Sequence, residues 1–319
     1  MRKQQRQAES YTTEVVVKGC GDEMPIKPDV DYVLKKLNWM RASHIWPNGL
    51  RYLWTDAFGV VLLVSLSEEL GEGKFIDEAE WVVAEVNRVL GRSRGIRIGE
   101  EADRDGQYFH YLAMWLYALA VLGRRVPKYR HMGIDLVHQV HDPFLVPGRG
   151  VIWKMEEDLS GPYPGYGFGA LDAFDGYVAY RMLDDVGLSR EIADMRALVD
   201  RSAPDLVITQ DLGLGMMLWM THFFPDEPWA QIQRHRCLAM LDRMWKENSY
   251  FCREPVLQRT KFAFTNYGIS VGLQAVNEMP ERVDRLNSYF ESYRSGDEYD
   301  YAAITHVMAC SSHFAGALI

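Results

Sequence analysis

The stretch 106-GQYFHYLAMWLYALAVLG-123, joined by Arg124 to Val126 to 127-PKYRHMGIDLVHQVH-141, decides the fold. The first segment carries no Asp, Glu, Lys or Arg and is apolar on most sides, which buries a helix nearly all round. The second alternates apolar positions with charged ones, so it covers a core on one face and meets water on the other. A connection this short makes the two segments antiparallel neighbours. The unit is a helical hairpin with one buried and one outer member.

The same unit recurs along the chain. Apolar residues at three- and four-residue steps predict twelve helices, over 29–41, 56–70, 74–91, 106–123, 127–141, 170–186, 189–202, 211–224, 226–246, 265–278, 280–294 and 301–317. The even members are poor in charge: 57-AFGVVLLVSL-66, 213-GLGMMLWMTHFF-224, 266-NYGISVGLQAV-276 and 302-AAITHVMACSSHFAGAL-318. The odd ones are amphipathic, as in 74-KFIDEAEWVVAEVNRVLGR-92, 189-SREIADMRALVDR-201 and 280-PERVDRLNSYFESYR-294. Strand signals are confined to 14-EVVVK-18 and 151-VIWK-154. Six buried helices alternating with six half-exposed ones predict an all-α (α/α)6 toroid over 29–319, preceded by an extension over 1–28.

Connection lengths give the ring two unlike ends. Inner-to-outer turns are minimal (Gly71 to Gly73, Gly187-Leu188, Pro225, Met279-Pro280), whereas outer-to-inner connections at 42–55, 92–105, 142–169 and 247–264 are long. Long connections are where function gathers. At that end a local pattern repeats, an acid or amide followed by small residues: WTDAFG (54–59), RDGQYFHY (104–111), LDAFDGY (171–177), TQDLGLG (209–215), FTNYGIS (264–270) and, more loosely, EYDYAAITH (298–306).

On the alternating helices, unequal connections and aromatic loops, the chain resembles the six-hairpin glycosidase-like superfamily. That group includes (α/α)6 glycoside hydrolases, unsaturated-glycuronidase relatives and the N-acylglucosamine 2-epimerase group. The resemblance is architectural and implies carbohydrate chemistry, while the roles of individual residues come from the residues themselves. Toroids also host terpene cyclases and prenyltransferase subunits, whose DxDD run and repeated QxxxxxW segments are absent here.

Composition narrows the partners. The 319 residues carry 35 Lys+Arg against 44 Asp+Glu, a formal charge of −9 with no long basic run, so neither nucleic acid nor an anionic membrane is expected as a partner. Cys20, Cys237, Cys252 and Cys310 are scattered without a CxxC pair, which suits a reducing compartment. The start, MRKQQRQAESYTTEVVVKG, lacks an apolar targeting core, and the most apolar run, Phe58 to Leu66, is too short to span a membrane. The expected setting is cytoplasmic, and the expected partner a small saccharide or sugar conjugate. No cofactor is expected: Gly213-Leu214-Gly215 follows no strand, and neither a GxxxxGK[ST] loop nor a GxSxG elbow is present.

The inner-helix starts carry Asp56, Asp105, Asp172, Asp175 and Asp211, with Asn266 in the equivalent place. Side chains there cap backbone amides, and Asp56 and Asp172 fit that role best. Glycoside hydrolysis needs two facing carboxylates, one protonated. Asp105 and Asp211, each followed by residues that admit a ligand, are the expected pair, with Glu157 as an alternative acid. The insert 142–169 sets Glu156 and Glu157 between Trp153 and Tyr166, and aromatic rings interleaved with carboxylates suit a sugar cleft. Trp54, Tyr108 and Tyr267 are further contact candidates, along with Asp56, Asp175 and Asn266. His110, His306 and His313 could instead move protons beside a sugar carbonyl. His138, His141 and Asp142 lack a fourth ligand pattern, so no metal is expected. The leading expectation is a glycoside hydrolase. The alternatives are a sugar 2-epimerase or isomerase using the inner-helix histidines, a terpenoid cyclase, and a binding protein that kept only the cavity.

Overall fold

A computed structural model describes residues 27–247, 251, 262–314 and 318. The 14–18 strand signal and most of the 1–28 extension lie outside the described residues. Twelve helices form: α1 Val30–Ala42, α2 Leu53–Leu70, α3 Lys74–Leu90, α4 Phe109–Gly123, α5 Lys128–Phe144, α6 Asp172–Asp184, α7 Ser189–Ser202, α8 Asp211–Phe223, α9 Pro228–Lys246, α10 Ala263–Ala275, α11 Pro280–Ser292 and α12 Ala303–His313. Each overlaps its expected segment. None of them is long and apolar enough to cross a membrane.

The even helices pack side by side in chain order, and α12 returns to α2, closing an inner ring. Each of α3, α5, α7, α9 and α11 lies on the inner helix before it, and α1 lies on α12. The last hairpin is therefore built from the two ends of the described chain, tied by the Asp29 N–H donating to the His313 carbonyl at 2.9 Å. The fold is the (α/α)6 toroid. Its inner helices are buried along nearly their whole length, from Leu53 to Leu66 in α2 and from Leu112 to Gly123 in α4. That burial removes apolar surface from water and supplies the dominant favourable term in folding.

Close approach between inner helices needs glycine at one crossing. A Cβ on Gly215 of α8 would lie 2.3 Å from the Gly268 carbonyl oxygen, and one on Gly272 of α10 would lie 2.1 Å from that of Gly215. Gly215, the second glycine after Asp211, thus serves helix packing, not the admission of a ligand. Among the described residues there are also four two-residue strands: β1 Gln107–Tyr108, β2 Leu145–Val146, β3 Gly150–Val151 and β4 Lys154–Met155. β1 pairs antiparallel with β4, and β2 with β3. The first pairing takes Gln107 and Tyr108 out of the expected helix, so α4 begins at Phe109. It stitches the 145–171 insert across the mouth of the ring.

Candidate functional site

The inner-helix starts surround a cavity of two adjoining chambers that share Trp54 and His110. The outer chamber, about 100 Å³, is walled by Tyr52, Arg104, Tyr111, Leu212, Phe264 and Tyr299. The inner one holds about 10 Å³, the room of a single water, between Met114, Tyr117, Asp175, Met216 and Trp219. Trp219, on its wall, donates its indole N–H to the Leu318 carbonyl.

His110 stands on the first turn of α4. The Phe109 N–H donates to the Trp153 carbonyl at 3.1 Å, and the Trp153 N–H to the Gly167 carbonyl at 2.9 Å, so the start of α4 and the insert are tied together. The Trp153 indole reaches back, with Nε1 3.1 Å from His110 Nδ1. Tyr108 stacks beside both, with centroids 5.5 Å from Trp153 and 5.4 Å from His110, whose own rings lie 6.2 Å apart. Enclosure without a counter-charge pushes the His110 pKa down to about 3, so the imidazole is neutral at any ordinary pH.

Asp175 lies one turn into α6, on the wall of the inner chamber. No cation or hydrogen-bond donor reaches its carboxyl among the described residues, and burial alone pushes its pKa up to about 8. Asp172, one turn earlier, is 3% exposed, and its Oδ1 has no hydrogen-bond partner. Burial first, and Asp175 second, hold its pKa well above the carboxylate range, while the His110 backbone N–H opposes them. The α6 cap residue is Leu171, with no side-chain bond, so Asp172 is not the cap that the sequence suggested. The cavity therefore presents an imidazole kept neutral and a carboxyl whose proton is exchangeable near neutrality.

The other acids are spoken for. Asp105 accepts from Lys154 Nζ at 3.0 Å and from the Tyr163 hydroxyl at 2.7 Å, which hold its pKa below the usual range. Gly106 beside it, at φ 75°, would carry a Cβ 2.7 Å from the Met155 carbonyl, so that glycine serves the β1–β4 pairing. Asp211 accepts from Thr265 Oγ1 at 2.9 Å. Neither aspartate is among the residues lining the cavity. Glu157 is held between Arg92 at 2.8 Å and Arg97 at 2.6 Å, and these two pairs outweigh its burial and lower its pKa. Glu156 sits in the turn before β4's bridge to Pro162, its N–H on the Gly161 carbonyl at 3.0 Å. Asp56 is fully buried but compensated by Arg51 Nη1 at 3.0 Å, Trp46 Nε1 at 2.9 Å and the Tyr52 N–H at 3.3 Å. Burial still lifts its pKa to about 6.

Three of the remaining candidates face away from the cavity. His306 and Tyr267 line a separate polar cleft with Lys36 and Glu291, against α1 and α11. His306 Nε2 lies 3.1 Å from the Asp300 carbonyl, and burial lowers its pKa to about 4. His313 stacks on Tyr32 of α1 at 4.0 Å. The seven-residue spacing puts both histidines on one face of α12, as expected, but that face meets the outer helices. Asn266 is buried, with its amide on the Phe262 carbonyl at 2.9 Å. Tyr166 packs edge-on against Trp153 at 5.2 Å. On α5, His141 is engaged by Tyr180 and Asp194, and Asp142 by Arg190.

Sequence reasoning missed Tyr52, Arg104, Tyr111 and Phe264 as cavity walls. Tyr52 and Tyr111 bond through their hydroxyls, and Arg104 lies 4.2 Å from the Tyr52 ring. The available signal was the clustering of aromatic residues within a few positions of each inner-helix start.

No family model and no curated protein matches the chain in sequence. Solved structures do match in fold. The cellobiose 2-epimerase of Bacillus thermoamylovorans B4167 superposes with a TM-score of 0.57 at 10% identity, over 82% of this chain and 87% of that one. A sugar epimerase from a ruminal bacterium gives 0.59 at 11% identity, over 82% and 87%. The cellobiose 2-epimerase of Spirochaeta thermophila DSM 6192 gives 0.58 at 14% identity, over 83% and 85%. At such identities the likeness is one of fold.

Proposed function

We propose that this protein interconverts sugars at the carbon next to their carbonyl, as a 2-epimerase or aldose–ketose isomerase. The observation that carries this reading is one cavity holding both a neutral imidazole and an uncompensated carboxyl with a pKa near 8. Titratable groups pushed apart by their surroundings mark acid and base roles. Ionised Asp175 takes the proton from the carbon beside the carbonyl of the open-chain sugar. The electron pair moves toward the carbonyl oxygen, which draws a hydrogen bond from His110 as the enediolate forms. Asp175 then returns the proton. Delivery to the neighbouring carbon, with the O2 hydroxyl proton passing to O1, gives the ketose, and delivery to the opposite face of the original carbon, after the enediolate has turned relative to Asp175, gives the epimer. The fold shared with sugar epimerases supports the substrate class.

The hydrolase reading rests on facing carboxylates, one of them protonated. Asp105 and Asp211 are both engaged outside the cavity, so it lacks that support. The cyclase reading asks for an apolar chamber, and Asp175 and His110 make this one polar. The test incubates the full chain with a panel of aldoses, ketoses and reducing disaccharides, following epimer, ketose and released reducing ends by NMR. Epimer or ketose without cleavage is the expected result, and cleavage without either would remove the proposal.

A further inference from the structure

The exposed indole of Trp153 enters the site in a way that its surface position does not suggest. The ring is 39% exposed, yet its backbone is clamped on both sides, to Phe109 and to Gly167. Its buried neighbours Val151 and Met155 anchor β3 and β4. The indole stacks on Tyr108 nearly parallel, at 11°, so both its plane and its reach are preset. At the end of that reach lies His110 Nδ1. An indole nitrogen donates and cannot accept, so His110 Nδ1 is the acceptor of this bond. A neutral imidazole has one proton, which must then sit on Nε2.

We propose that Trp153 is a positioning residue that fixes the tautomer of His110, turning its Nε2 into the hydrogen-bond donor that a substrate carbonyl oxygen requires. Without this bond, the tautomer protonated on Nδ1 becomes accessible, and part of the population would offer the oxygen a lone pair instead of a proton. The identity of the nitrogen that bears a proton is set by what the other one bonds. The mechanistic benefit rests on the sugar-isomerising reading, but the tautomer itself does not.

Nitrogen-15 NMR of the full chain labelled in histidine tests it, with the His110 signals assigned by their loss in His110→Gln. Two proteins are compared with wild type: Trp153→Phe, and a chain carrying 3-benzothienylalanine at 153, which keeps the ring and its stacking but lacks the N–H. Wild-type His110 should show a single tautomer, protonated on Nε2 and bare on Nδ1. Both replacements should give mixed tautomers and a midpoint of His110 titration moved up toward the ordinary histidine range. Turnover should fall roughly tenfold with KM little changed, the value of one lost hydrogen bond in the transition state. A wild-type His110 protonated on Nδ1 overturns the proposal. So does a benzothienyl protein that retains the wild-type tautomer, since packing alone would then set it. If the tautomer behaves as expected and no sugar is converted, the setting of the His110 tautomer by Trp153 stands and the proposed function falls.

Discussion

Two pairs of aspartates sit at the same end of the ring and differ in everything but sequence context. Asp105 and Asp211 stand beside glycines and the start of an inner helix, and each is met by a partner from far along the chain: Lys154 and Tyr163 for one, Thr265 for the other. Asp172 and Asp175 stand beside small residues and another inner helix, and no cation among the described residues meets either of them. A carboxyl in water or beside an ammonium is a weak base. A carboxyl buried without a counter-charge holds its proton and gives it up near neutral pH. What separates the two pairs is the partner that did not arrive.

The largest test of this contrast is Asp175→Asn, which keeps shape and removes the exchangeable proton. Turnover should fall by roughly 10²–10⁴-fold, the usual contribution of proton transfer, with the helical circular dichroism unchanged. Loss of less than about threefold would mean that Asp175 is only lining. A buried acid that did receive its counter-charge should behave in the opposite way. Asp56→Ala strands Arg51 in the core and should cost about 3–5 kcal/mol in urea unfolding, because a buried charge without its partner is heavily penalised.

The pH dependence sharpens the comparison further. As a base, Asp175 must be ionised, so kcat/KM should rise through a midpoint near 8. Stability should run the other way. The folded chain keeps this proton up to about pH 8, while the unfolded carboxyl loses it near 3.8, so stability is full below 3.8 and falls as pH rises toward 8. Asp175→Asn should therefore melt a few degrees above wild type at pH 8, and the gap should close below pH 4. The smallest effects on turnover belong to the first pair. Asp105→Asn and Asp211→Asn should each change it less than about threefold, although Asp105→Asn takes the counter-charge from the buried Lys154 and should cost roughly 1–3 kcal/mol of stability.

The toroid was legible because burial writes itself into local sequence. Residues Leu112 to Gly123 can only be a helix with no wet side, and the charged face of Ser189 to Arg201 can only be an outer one. The site was legible in part. His110 and Asp175 stood out as polar groups on otherwise buried helices. Their roles were not readable, because a role depends on absent partners. Asp105 attracted attention through Gly106 and Asp211 through Gly213 and Gly215, yet Gly106 and Gly215 answer to backbone contacts with Met155 and Gly268. The heptad spacing of His306 and His313 placed them on one face but could not say whether it meets the cavity or α1. Trp153 looked like a sugar platform, and its bond to a histidine 43 residues away has no local signature.

In the proposed reaction, Asp175 moves the proton beside a sugar carbonyl while His110 steadies the oxygen. Exchange of the hydrogen on C2 of an aldose in deuterium oxide, followed by proton NMR, tests it most directly, since exchange reports the proton abstraction even when product is scarce. The C2 signal should fade with wild-type protein, persist with Asp175→Asn, and fade at an undiminished rate with Asp105→Asn. A C2 signal that persists with wild type across the sugar panel, or fades equally with Asp175→Asn, would contradict it.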